Sequence, residues 1–171
     1  DACEKIIRGL KGYPFVIVSG LALGMDSIAH KTALEVGLPT IAIPGSGLDD
    51  KVLYPSANRG LADLILKKGG CILSEFEPDF RATLWSFPKR NRIVAGISRA
   101  VIVIEAPEKS GALITVRMAV DYNRDVFAVP GSIFSETSKG TNEFIKLGAT
   151  PLTCAEDILN AFGLIDPLMP T

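Results

Sequence analysis

One histidine, three cysteines and no apolar run of membrane-spanning length set the first limits on this 171-residue chain. Cys3, Cys71 and Cys154 are far apart and form no CxxC pair, and His30 is the only imidazole. That is too few ligands for a structural zinc site, and no metal is expected; no cofactor is expected either. Cys71 sits in an apolar run and reads as a small buried hydrophobe. No apolar stretch approaches the roughly 20 residues that a spanning helix needs. The opening "DACEKIIRGLKGYPF" is charged and lacks the apolar region of an export signal. The expectation is a soluble, cytoplasmic protein with no membrane partner. A formal net charge of −1 excludes a chain that is basic all over, although a local patch acts through its local field.

What is present is a core. Hydrophobic residues make up 47% and charged residues 22%, a balance that folds as one domain rather than staying disordered. Short apolar runs at 14–20, 39–45, 71–76, 100–106 and 125–131 alternate with helical patterns at 25–37, 56–70, 89–98 and 110–123. Ser56 is placed to cap the second of these helices. The runs are continuously apolar, as in strands buried on both faces of a parallel sheet. The predicted architecture is α/β: a doubly wound, mostly parallel, Rossmann-like sheet over residues 1–165, with 166–171 starting a C-terminal linker. Residues 1–11 read as the end of a helix, so the strand that normally precedes such a helix is expected to be missing from this chain.

Ligands bind open parallel sheets at the carboxyl ends of the strands. Those ends are Ser19-Gly20, Pro44-Gly45, Ser74-Glu75, Glu105-Ala106 and Pro130-Gly131. Ser19, Gly20 and Gly24 form a strand-to-helix turn that either faces an anion or is simply tight. Asp26 is a candidate cap, and His30 reads as a packing or hydrogen-bonding residue. Glu75 is either a general base or a partner for the cations that follow. Ser110, Gly111 and Thr115 open one helix, and Gly140 and Asn142 precede another. Each set fits plain capping or an anion-facing terminus. "WSFPKRNRIVAGISR" at 85–99 gathers Lys89, Arg90, Arg92 and Arg99 beside the Phe87-Pro88 corner. Cations at a helix start oppose the macrodipole. A purely structural start would carry acids instead, so the run reads as a phosphate contact.

The ordered set "SGLALGMDSIAH", "IPGSGLDDKVLYPSAN", "SEF", "FPKRNRIVAGIS", "SGALIT", "FAVPG" and "GTNEFIKLGA" resembles the DNA-processing protein A family, also called DprA or Smf, over residues 13–149. The resemblance implies a non-enzymatic, Rossmann-like domain that binds single-stranded DNA in natural transformation, loads the RecA recombinase and dimerises. It makes "FPKRNR" a phosphate-contacting loop, with Phe87 near a base and Lys89, Arg90 and Arg92 near the backbone. Asn91 belongs to the same site, as do Ser19, Gly20, Gly24, Ser110, Gly111 and Asn142. No Gly-Ser-Arg turn of the family's kind occurs, which fits a missing strand, and Leu23 stands where the family usually has arginine. The alternative is a nucleotide-processing enzyme of the phosphoribohydrolase type. Against it, "PGSGLDDK" lacks the threonine and glutamate of that group's PGGxGTxxE stretch. A dinucleotide oxidoreductase fails on the absent GxGxxG.

Overall fold

The structure, a computed structural model, describes residues 1–107 and 110–165. Helix α1 (Ala2–Gly9) starts at a capping box in which the Asp1 carboxylate accepts from Cys3 N at 2.8 Å, and it buries Cys3, Ile6 and Ile7. Strand β1 (Ile17–Ser19) leads to α2 (Met25–Val36), which ends at Gly37 in the left-handed conformation. Then come β2 (Thr40–Ala42), α3 (Arg59–Lys67), the short β3 (Cys71–Ile72) and α4 (Ser86–Ile97). The second half holds β4 (Ala100–Val103), α5 (Ala112–Asp121), β5 (Asp125–Ala128), α6 (Lys139–Lys146), β6 (Thr150–Pro151) and α7 (Ala155–Ala161).

All strand pairing is parallel and helices cover both faces. Along β4, Ala100 and Ile102 pack into the cluster built from α1, α2 and α7, whereas Val101 and Val103 pack into the cluster under α5. Neighbouring residues point to opposite faces, so both faces of the sheet are buried and the doubly wound reading holds. A third cluster, with Leu61, Ala62 and Ile65 of α3, covers β2.

The sheet is not continuous. Among the described residues it consists of two three-stranded halves, β1-β2-β3 and β4-β5-β6. Ile17 N donates to Pro39 O and Ser19 O accepts from Ile43 N, so alternation turns the backbone of Val18 away from β2. On the other side, Arg99 O and Val103 O accept from Asp125 N and Val129 N, which turns Ala100 and Ile102 away from β5. These two edges line a cleft of about 930 Å³. The gap lies where an additional parallel strand would complete one sheet.

Several local expectations change. β3 is a two-residue edge strand, which leaves Cys71 exposed rather than buried. Ser56 begins a 3₁₀ turn over Ser56–Asn58, and α3 starts only after it, so Ser56 caps nothing. α4 begins three residues earlier than the pattern suggested. Pro88 fits there because the first helical turn needs no intrahelical N–H bond. Gly140 and Asn142 lie within α6 rather than before it. The linker reading at 166–171 falls outside the described residues.

Candidate functional site

The carboxyl ends of β1 and β4 open onto the inter-sheet cleft, together with the start of α5 and one face of α4. Ser19, Gly20, Phe87, Arg90, Asn91 and Gly111 all line it. The Ser19-Gly20 turn is already occupied by a carboxylate of its own. Ser19 Oγ donates to Asp26 Oδ1 at 2.7 Å, and the amides of Gly20 and Ala22 donate to Asp26 Oδ2 at 3.1 and 3.0 Å. Asp26 therefore closes the turn rather than capping α2, whose N-cap is the exposed Gly24 at φ +80°.

α4 divides the basic run in two. Phe87 and Arg90 point inward. A Cβ on Gly45 would sit 2.6 Å from the Phe87 ring, and one on Gly20 would sit 2.5 Å from the Arg90 guanidinium, so both glycines are required by close approach. Arg90 is only 6% exposed. Its guanidinium donates to the carbonyls of Gly20 and Ile43, and its Nε donates to Asn91 Oδ1 at 3.0 Å. It thus ties the ends of β1 and β2 together. Burial lowers its pKa, and the charge of Asp26 opposes that shift. Ser86 Oγ adds a bond to Gly45 O at 2.6 Å. The Phe87 ring packs on Tyr54 with centroids 5.6 Å apart.

Lys89 and Arg92 point outward, and their charged ends meet at Glu75. Lys89 Nζ lies 3.7 Å from Glu75 Oε2, and Arg92 donates to the same oxygen. Glu75 is therefore the ion-pair partner, as the second reading of it held. Its other oxygen, Oε1, is buried without a hydrogen-bond partner. "FPKRNR" lies within α4 and is helix rather than a loop. Helical periodicity, which was legible in the sequence, separates 85/89/92 from 87/90/94.

The second half-sheet has a different edge. The Asn142 amide accepts from Gly131 N at 3.2 Å and donates to Gly131 O at 3.0 Å, fastening the turn after β5. Gly111 is the N-cap of α5, and the buried Ser110 Oγ has no partner among the described residues. His30 is fully buried. Thr40 Oγ1 donates to Ile17 O, so it accepts from His30 Nδ1–H at 2.7 Å, which leaves Nε2 unprotonated and unpartnered. Burial lowers the His30 pKa to about 4, with Asp26 opposing. The imidazole is a neutral packing group, as expected.

Fold and site together define a class: a Rossmann-like α/β domain whose carboxyl strand edge is closed by a cation-bearing helix. Residues 1–163 match the family of DNA recombination-mediator protein A, and the chain belongs to that family. It is 48% identical over 159 residues to the DNA processing protein DprA of Streptococcus pneumoniae, covering 93% of this chain and 55% of that protein. The solved structure of the pneumococcal protein superposes with a TM-score of 0.85, at 46% identity and the same coverage. The Smf protein of Escherichia coli is 44% identical over 165 residues, 95% of this chain and 42% of that one. A Helicobacter pylori DNA processing protein A, solved in work on its single-stranded DNA binding mode, gives a TM-score of 0.79 at 34% identity, covering 95% of this chain and 72% of that chain. The chain spans about half the length of the curated relatives it matches.

Proposed function

We propose that this domain binds single-stranded DNA through the outer stripe of α4 and the adjoining cleft edge, and that it carries out no catalysis. The observation that carries this reading is the pair Lys89 and Arg92. Both are close to half exposed and are held side by side at the strand-end edge by one carboxylate. Exposed cations in register along a helix meet successive phosphates and carry no base information. The known DNA binding of the Helicobacter relative supports the same reading. Arg90, Phe87, Ser19 and Gly20 then hold the frame on which the cations stand. Gly24, Asn91, Ser110, Gly111 and Asn142 remain candidate contacts.

The finer role we propose, on the family resemblance, is protecting incoming strands in transformation, loading RecA and acting as a homodimer in the cytoplasm. Among the described residues no helix is long and apolar enough to cross a membrane. In the region after Gly131, Ile158 and Leu159 are buried in the chain's own core, whereas Phe134 is 92% exposed. Self-association therefore centres on Phe134, and Phe134→Asp shifts sedimentation toward monomer. The binding reading is tested by anisotropy with labelled oligo(dT) against a duplex of equal length. Preference for the single strand supports it, and equal affinity overturns it. Hydrolysis of a nucleoside monophosphate would instead favour the enzymatic alternative.

A further inference from the structure

The N-cap of α4, Trp85, supplies a third outward residue. Trp85, Lys89 and Arg92 stand at i, i+4 and i+7, one stripe about 10 Å long at 1.5 Å per residue. Trp85 is the only tryptophan of the chain and is 54% exposed. It is held in place from below. Its ring meets Phe80 edge-on at 5.6 Å and Phe76 at 5.9 Å, and those two phenylalanines stack at 4.5 Å. Lys89 Nζ lies 5.5 Å from the Trp85 ring centroid and 5.4 Å from that of Phe76. The indole is thus fixed by a supporting pair of rings, open to solvent, and one helical turn from a cation. Phe87 is packed on Gly45 and Tyr54, so it is Trp85 that brings a ring to the outer stripe.

We propose that Trp85 is a stacking platform for a base of the bound single strand, with Lys89 and Arg92 taking the phosphates that follow. The proposal rests on the single-stranded DNA reading above and deepens it. Non-specific single-strand binders pair a cationic track with aromatic rings, because every base has a π-face and every nucleotide a phosphate. Roughly 10 Å of stripe accommodates two to three nucleotides at about 3.4 Å each, and fewer if the strand is extended. The ring and the two cations therefore belong to one short stretch of strand. Preorganisation by Phe76 and Phe80 means that the ring loses little freedom on binding.

The lone indole is its own probe. Titrating the chain with oligo(dT) should change Trp85 emission saturably, at the midpoint given by anisotropy of the labelled oligonucleotide. An abasic strand of the same length, which keeps the phosphates and lacks the bases, should leave the emission nearly unchanged. Trp85→Ala should weaken oligo(dT) binding about tenfold without altering the salt slope, and Trp85→Phe should recover most of the loss. The wild-type emission needs no variant, so a Trp85→Ala chain that misfolds does not spare the proposal from test. Oligo(dT) binding with unchanged emission overturns the platform and leaves the DNA reading standing. An equal emission change with the abasic strand also overturns it. No binding of oligo(dT) to the folded chain overturns both.

Discussion

The inner and outer faces of α4 carry the same residue types to opposite ends. Arg90 and Arg92 are two positions apart, yet one is buried against two backbone carbonyls and the other reaches solvent and Glu75. Counting charge along the chain merges these tasks, whereas the helical period divides them. The inner face fastens strand ends. The outer face presents charge that is free to be shared with a ligand.

The sharpest way to break that division is Arg90→Ala. It leaves the Gly20 and Ile43 carbonyls without their donor and opens a hole beneath α4, so the chain should lose about 3 kcal/mol in denaturant unfolding. Arg92→Ala should cost about 1 kcal/mol or less, because Arg92 is nearly half exposed and Lys89 remains beside the Glu75 carboxylate. Equal losses would erase the distinction between the faces. A comparable effect comes from His30, an inward polar group on α2. Its folded pKa near 4 lies below the ordinary value of 6.5. The unfolded chain therefore takes a proton that the folded chain refuses. Stability is full above about pH 6.5 and falls as the pH drops toward 4. At about 1.4 kcal/mol per pKa unit the loss approaches 3 kcal/mol. His30→Gln should flatten that part of the melting-temperature profile.

On the outer face the expected effects move from stability to binding. Lys89→Ala and Arg92→Ala should each flatten the slope of log K against log salt by about 0.7 for a single strand, equally for every sequence. A slope change in Arg90→Ala protein that is still folded would place Arg90 among the ligand contacts after all. The smallest effect belongs to Glu75→Gln. Removing the carboxylate that occupies both cations should raise oligo(dT) affinity a few-fold and change stability by less than about 1 kcal/mol. A fall in affinity would show that Glu75 positions the cations rather than competing for them.

Much of this was readable from the sequence. The five strand cores and four of the helices lie within or against the stretches that apolar runs and helical periods marked, and the pairing of Glu75 with the basic run was among its alternatives. What escaped lay in specific contacts and strand order rather than in apolar pattern. Asp26 serves the turn before it through three hydrogen bonds, which no capping rule anticipates. Arg90 turns inward because Gly20 leaves room for it, a contact between residues 70 apart in sequence. Cys71 is exposed because its strand is an edge, and strand order is not written in local composition. β6 was missed because a two-residue strand containing proline carries almost no pattern.

The break between the half-sheets has a consequence for amide hydrogen exchange. Along β4, the backbone groups of Val101 and Val103 turn toward β5, while those of Ala100 and Ile102 face the cleft. Protection should therefore alternate residue by residue along one strand, slow at Val101 and Val103 and fast at Ala100 and Ile102. Val18 should exchange fast beside the protected Ile17 in β1. Any polypeptide that settled into the cleft as a paired strand would slow the fast amides and leave the slow ones as they were, so a two-residue rhythm of exchange reports directly on whether the cleft is filled.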